Sequence, residues 1–543
     1  MIKSRYIGSN IWVFAFCCLF CLPLSSQVTV SAKRLQYPLI ATQTDNYLYR
    51  INLKTNETQT AIRGLGFDLT GSTDLTDIVG LRLYSSGTDS IINASNKKLL
   101  ATVRPETPTG AFRFKASLDS TVYWWVSVQM YTGTKLEHLL HFTPTRLETA
   151  DSSISIDPKN TDTPYRMGVA LRKHRDDGVH TYRIPALVTS TQGTLLAAYD
   201  VRRDGSRDLQ GDIDIGISRS TDGGQTWEPM QIALDMKNWG GLPEKFNGVS
   251  DASLLVDQKT GTLFVFGLWM HGVINPDGKW VTDLTETSTD WNHQWRNKGS
   301  QPGFGVKETS QFLMAQSTDD GKTWSKPVNL TQMCKKQEWW LWAPAPGNGI
   351  QLTDGTLVIP TQGRDAQGET FSNITYSKDG GQTWQTSQPA RTNTTECAVV
   401  ELPDGGLMLN MRDNRNRKEK GGANGRAVAV TYDLGENWQR HPSSNGLLPE
   451  PVCMGSLLAA DGRLFFSNPN SKYRRQHITV KTSTDQGHSW PEKNWLLLDQ
   501  GHGSGYSSLT KINEEYLGIL YEGSQADLIF QKIPLTSLVS DKP

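Results

Sequence analysis

Ser-Thr-Asp-Gly-Gly-Gln-Thr-Trp at 220–227 decides the fold, because its pattern Ser/Thr-x-Asp-x-Gly-x-x-Trp recurs along the chain. Further copies stand at 317–324 (STDDGKTW), 377–384 (SKDGGQTW), 431–438 (TYDLGENW) and 483–490 (STDQGHSW). Each follows an alternating apolar run: IDIGIS, FLMAQS, NITYS, AVAVT or ITVKTS. Each therefore reads as a strand, a tight turn and a second strand. The Asp carboxylate can accept backbone N–H bonds in the turn, the Gly supplies positive φ, and the Trp packs under the hairpin. Self-similarity at this spacing signals a repeat architecture.

Working outward, a second kind of hairpin alternates with these turns. It reads as apolar run, Gly or Asp-Gly, apolar run, at 186–199, 252–268, 349–361, 398–411, 455–467 and 507–521. Six inner hairpins against five outer ones leave the last outer pair to be completed by 526–533 or by a first strand near 168–172. Four antiparallel strands repeated six times predict an all-β fold, a six-bladed β-propeller over 165–543. Residues 27–150 lack both hairpins but contain the strand-like runs 47–53, 78–85, 111–117 and 122–130. They predict a smaller β-sandwich, joined through a polar, Pro-containing linker at 151–164. Tyr123, Trp124 and Trp125 could form a sugar-stacking surface there, although alternation along the strand also fits core positions.

The chain of 543 residues is too long for one ordinary core, and its formal charge is zero. No basic run supports nucleic-acid binding. Lys3 and Arg5, then an apolar stretch from Ile11 to Leu22 and Pro-Leu-Ser-Ser, read as a signal peptide over 1–26. Export to periplasm or medium is expected, with no membrane-spanning segment in the mature chain. Cys334, Cys397 and Cys453 show no metal spacing and read as small buried hydrophobes. No metal or cofactor is called for.

Antiparallel geometry sorts the ionisable residues. Starts of first strands, ends of second strands and starts of third strands share one face of the repeat. Arg183, Glu396 and Tyr506 precede first strands; Arg202, Arg203, Arg364 and Arg412 follow second strands; Asp208 and Arg475 precede third strands. The repeated turn aspartates fall on the opposite face and read as structural. Arginines converging from different repeats form a site for a ligand carboxylate or phosphate, gripped by charge-assisted bonds. With a Trp-rich lining, an acidic sugar is the fitting ligand.

Tyr-Arg-Ile-Pro at 182–185, the five Asp-containing turns, Tyr-Ser-Ser-Leu at 506–509 and Leu-Tyr-Glu at 520–522 together resemble the bacterial exo-sialidases. The resemblance covers roughly 165–540, and the N-terminal region is similar to the extra β-domain of some secreted members. By position, Arg183, Arg412 and Arg475 match the family's arginine triad, with Arg474 competing for the third place. Asp208 matches the acid/base aspartate, Glu396 and Tyr506 the glutamate–tyrosine pair, and Glu522 the carboxylate that orients Arg183. Arg202 and Asp251 match further sugar-binding positions. The resemblance implies hydrolysis of terminal sialic acids on glycoproteins, glycolipids and oligosaccharides.

A sialic acid carries a carboxylate on its anomeric carbon, so an attacking enzyme carboxylate would meet like charge. A neutral phenol activated by a base avoids this, and tyrosine-using sialidases depart from the two-carboxylate scheme in this way. Asp208 would act as acid and then base, with a pKa raised by the closed pocket. Alternatives are a non-catalytic propeller lectin and an enzyme that transfers sialic acid or forms an anhydro sugar. The long insertion at 269–310, with Trp269, Trp280, Trp291 and Trp295, is expected to wall the pocket.

Overall fold

Alternating apolar residues joined by tight turns build antiparallel sheets over nearly the whole chain. The computed structural model describes residues 28–56, 59–159, 163–209, 211–272, 281 and 300–539. The expected signal segment 1–26 and, in the long insertion, Trp280, Trp291 and Trp295 lie outside the described residues. No described helix is long and apolar enough to cross a membrane.

From Thr181 onward, together with Tyr165–Arg172, successive strands pair antiparallel in units of about four, the first two units sharing one nine-stranded sheet. The first unit comprises Thr181–Thr189, Leu195–Arg202, Ile213–Ser220 and Gln231–Leu234. The second comprises Asn247–Val256, Leu263–His271, Gln311–Ser317 and Val328–Asn329. In the third, the first strand is split into Leu341–Pro344 and Ile350–Gln351, followed by Leu357–Arg364, Thr370–Ser377 and Gln385–Thr386. The fourth runs Thr394–Glu401, Leu407–Asp413, Ala427–Thr431 and Gln439–Arg440, and the fifth Ser456–Ala460, Arg463–Pro469, Gln476–Ser483 and Trp495–His502. The sixth pairs Ser507–Lys511, Tyr516–Tyr521 and Leu528–Pro534 with Tyr165–Arg172 from far upstream. Both segments considered for the last outer pair are thus used together.

Innermost strands of neighbouring units touch: Thr181–Thr189 meets Asn247–Val256 and Ser507–Lys511, and Ser456–Ala460 meets Thr394–Glu401 and Ser507–Lys511. Asn348 sits where they meet: its Nδ2 donates to Leu187 O at 2.7 Å and Leu509 O at 2.9 Å, and its Oδ1 accepts from Ser508 Oγ at 3.1 Å. One side chain of the third unit therefore ties the first and the sixth.

The repeated turns hold as their residue types require. Asp379 Oδ1 accepts the Gln382 and Thr383 N–H groups at 3.1 and 2.9 Å, and Gly381 N–H donates to Ser377 Oγ at 2.9 Å. Gly381 has φ 88°, and the residue before the turn glycine is also left-handed, including Asp320, Leu434 and Gln486 at 64°, 55° and 57°. That second positive φ is strained for a side-chain-bearing residue and is held by the surrounding turn bonds. Trp384 is 2% exposed and packs on Phe264 and Phe266 of the second unit, with ring centroids 6.2 and 5.2 Å apart. Trp227 packs likewise on Phe530 of the sixth unit. The tryptophans staple neighbouring units together.

Upstream, two antiparallel sheets form. One orders Thr29–Arg34, Asn46–Lys54, Val122–Met130, Ile78–Ser85 and Lys98–Val103; the other orders Ser153–Ser155, Thr143–Thr149, Thr60–Asp68 and Thr109–Leu118. Trp124 and Trp125 are 3% and 8% exposed, and Trp125 Nε1 donates to Ser86 Oγ at 2.9 Å. They are core residues, which removes the sugar-stacking surface considered for them. Leu39–Ile40 and Leu139–Leu140 from this region pair with Tyr165–Arg172 of the sixth unit, joining the two parts through backbone hydrogen bonds. Trp269 is likewise fully buried, donating to Asn247 Oδ1 at 3.1 Å, so it belongs to a strand of the second unit and not to a pocket wall. Cys334, Cys397 and Cys453 are buried free thiols.

Candidate active site

β-Bulges aim the key side chains. Pairing of first and second strands slips between Arg183 and Ala186, between Ser250 and Ser253, and between Thr394 and Cys397. The bulges carry Arg183, Asp251 and Glu396, so each is turned out of the regular pleat toward one side. Ile184 and Asp251 have φ of 58° and 60°. A β-branched residue in that region costs roughly 1–3 kcal/mol, which neighbouring bonds must offset.

Glu522 supplies that support. Its side chain is 1% exposed; Oε1 accepts Arg183 Nε–H at 2.5 Å and Ile184 N–H at 2.9 Å, and Oε2 accepts Tyr506 N–H at 2.9 Å. One carboxylate thus fixes the strained bulge, the Arg183 guanidinium and the backbone that presents Tyr506. Burial alone would lower the Arg183 pKa, but the Glu522 charge more than reverses this, so the guanidinium stays charged.

Arg183, Asp208, Asp251, Glu396, Arg412, Arg475 and Tyr506 all line one cavity of about 580 Å³. Arg364, expected on this face, also lines it, and the structure adds Arg207 and Arg417 to its wall. Arg203 does not line it, and pairs instead with Asp212 and Asp214. Arg474 is exposed outside the cavity, whereas Arg475 enters it, its Nη1 donating to Ser504 O at 2.9 Å and its Nη2 to Val452 O at 3.3 Å. Arg202 lies beneath the wall, 1% exposed, and none of the five turn aspartates reaches the cavity.

At the floor, Tyr506 Oη donates a short hydrogen bond to Glu396 Oε1. Arg412 Nη1 donates to Glu396 Oε2 at 2.6 Å and to Tyr506 Oη at 2.9 Å. The Arg183 and Arg475 guanidinium carbons stand 5.6 and 5.4 Å from the Tyr506 ring centroid. Burial and the Glu396 charge push the Tyr506 pKa well up, against the pull of Arg412 and Arg475. The resting phenol is neutral and already bonded to a base.

Asp208 stands at the cavity mouth with its side chain 67% exposed. Its Oδ1 accepts from Arg202 Nη1 at 2.6 Å and lies 4.0 Å from Arg183 Nη1. Burial by the surrounding wall would raise its pKa, but Arg202 and Arg183 outweigh it and hold it below the ordinary 3.8. The expected upward shift is therefore corrected for the free protein. Reading along the chain counted the closing of the pocket and missed how near the two guanidiniums come. Asp251 moves the other way: burial, then the Asp200 and Glu396 charges, push its pKa well up, toward the neutral form.

Asp200 escaped the sequence reading. It is fully buried and accepts from Arg202 Nη2 at 2.8 Å, Ser250 Oγ at 2.5 Å and Asp251 N–H at 3.1 Å. It anchors Arg202 and sets the second bulge. An aspartate inside the apolar run LLAAYDVR was the available signal, since a carboxylate in a buried strand needs a cation beside it.

The chain is similar to known proteins over most of its length. A model described as the BNR repeat-like domain matches residues 193–519, and the N-terminal domain of BNR-repeat neuraminidase matches 26–107. A sialidase of Bacteroides fragilis is 38% identical over 96% of this chain and 98% of its own length. An exo-alpha-sialidase of Aspergillus fumigatus is 29% identical over 64% of this chain and 79% of its own. Among solved structures, a Hadza microbial sialidase superposes with a TM-score of 0.83 at 37% identity, covering 94% of this chain and all of that one. The chain belongs to the BNR-repeat neuraminidase family.

Proposed function

We propose that the protein is an exo-α-sialidase, a glycoside hydrolase that releases terminal sialic acids with retention through a tyrosine nucleophile. The observation that carries this is the Tyr506–Glu396 hydrogen bond at the floor of a cavity walled by Arg183, Arg412 and Arg475. Three guanidiniums suit a carboxylate fixed on the reacting carbon, and a neutral phenol meets no repulsion from it.

The substrate carboxylate pairs with the three arginines. Pairing offsets the cationic field on Asp208, and the bound sugar excludes water from it. Both effects raise its pKa, so Asp208 gains its proton on binding and gives it to the departing oxygen. Tyr506 Oη attacks the anomeric carbon as its proton passes to Glu396 along the existing hydrogen bond. Asp208, now a base, activates the water that cleaves the tyrosyl–sugar bond. Asp251, shifted toward its neutral form, can donate a hydrogen bond to a sugar hydroxyl. Glycans on proteins, lipids and free oligosaccharides are the substrates.

The six strand units fit the blades of a β-propeller over 165–543, and the upstream sheets fit a β-sandwich over 27–150 with a linker at 151–164. The charged and apolar pattern of 1–26 supports a signal segment and export to the periplasm or medium.

The test is release of the alcohol from an aryl α-sialoside by the purified chain, with the first anomer identified by NMR. The α-anomer supports retention, and glycan binding without release would favour a lectin. A sialyl-galactoside or anhydro product would point to transfer or internal attack.

A further inference from the structure

The cavity holds more positive charge than one sugar carboxylate requires. Six arginines line it against three carboxyl groups, and one of these, Asp251, is held toward its neutral form by burial and by neighbouring charge. Beyond the three that face the substrate carboxylate, Arg207 has the most informative place.

Arg207 lies between two residues held by one guanidinium. Arg202 Nη1 donates to Ser206 O at 2.8 Å and to Asp208 Oδ1 at 2.6 Å. The backbone on either side of Arg207 is thereby pinned, yet its own side chain is exposed, lines the cavity and makes no ion pair with a described residue. Asp208, its immediate neighbour, must reach the departing oxygen if the sialidase reading holds. A cation beside that acid in the cavity lining lies near the departing oxygen and the sugar it carries.

Resting on that reading, we propose that Arg207 is a specificity-determining residue that pairs with an anionic group on the sugar next to the terminal sialic acid. A carboxylate, as on a second sialic acid, and a sulfate ester share this chemistry. An exposed guanidinium donates to either through paired N–H groups, and Arg207 has no ion pair with a described residue to compete for them. The enzyme would then favour disialyl or sulfated glycans over neutral ones, most strongly at low ionic strength.

The experiment measures kcat/KM of the full chain and of Arg207→Gln on 3′-sialyllactose, an α2-8-linked disialyl lactose and a 3′-sialyl-lactosamine sulfated on O6 of its galactose. The expected result is that the substitution lowers the anionic-to-neutral ratio of kcat/KM about tenfold, the size of one charge-assisted hydrogen bond, through KM. The ratio should also shrink as salt is raised in the unsubstituted enzyme, and Arg207→Lys should keep part of it. A fall confined to the disialyl substrate assigns the carboxylate, and one confined to the sulfated substrate assigns the sulfate. A ratio unchanged in Arg207→Gln, or equal losses on all three substrates, overturns the proposal in an enzyme that remains a sialidase. A chain inert toward an aryl α-sialoside overturns both readings.

Discussion

Glu522 holds Arg183 through a 2.5 Å bond to Nε across 339 residues of chain, and the ion pair joins the first strand unit to the sixth. The same carboxylate accepts Tyr506 N–H at 2.9 Å, so the anion-binding and attacking groups share one support. Glu522→Gln keeps the shape but puts an amide donor against one of these N–H groups. The expected cost is about 3 kcal/mol of stability, as for one partner lost from a buried pair. KM for an aryl sialoside should rise with it. Denaturant melts and Michaelis curves check both.

Tyr506 and Glu396 should act as a unit. Tyr506→Phe and Glu396→Gln are each expected to lower kcat about 10³-fold or more, and the double variant little further. Independent, additive losses would separate the two roles. Sialic acid binding by Tyr506→Phe, followed by calorimetry, should persist, because the arginine contacts do not need the phenol proton.

Asp208 should take up a proton when ligand binds. The free protein holds it ionised at neutral pH, with a pKa below 3.8, and binding raises that pKa. Calorimetry of a non-cleavable thio-sialoside near pH 6, in buffers of different ionisation enthalpy, should show uptake that Asp208→Asn abolishes. The same substitution should cost roughly 10²–10⁴-fold on sialyllactose and far less on a nitrophenyl sialoside, whose leaving group needs little acid help.

The repeated turns should make the fold lose stability in acid. Asp379, held by the Thr383 side-chain and backbone donors, has its carboxyl lowered to about 2 from 3.8. A depressed carboxylate stabilises fully above its unfolded value and loses that stabilisation as pH falls through its folded value. The melting-temperature gap between the parent chain and Asp379→Asn should therefore be constant above about pH 5 and close toward pH 2. Trp384→Ala, which empties the contact with Phe264 and Phe266, should cost about 3–5 kcal/mol at any pH.

Much of the fold was legible because it repeats: five copies of one turn make strand pairing readable without any long-range information. Strand direction placed Arg183, Arg412 and Arg475 on one face together with Arg202, Arg203 and Arg364, and the family resemblance singled out the three. What escaped were local departures from the ideal pleat. The bulge at Arg183–Ile184 places a β-branched residue in the left-handed region, against its propensity, and Glu522 from the far end of the chain stabilises it. Asp200 hid within an apolar run because its partner Arg202 sits two residues away on the same face of the strand. Upstream, strands such as Lys98–Val103 and Thr143–Thr149 are short of apolar residues on one face and gave no clear alternation. The downward shift of Asp208 needed distances, since burial and charge act on it in opposite directions.

The central claim is that a phenol at the floor of an arginine-walled cavity forms a bond to the sugar. Incubation with 2,3-difluorosialic acid tests it most directly, because C2-fluoride departs readily while the C3-fluorine slows the second step. Peptide mass spectrometry should find the sugar adduct on Tyr506, and Tyr506→Phe should lack it. An adduct on Glu396 or Asp208, or turnover of aryl sialosides with no adduct on any residue, would contradict the account.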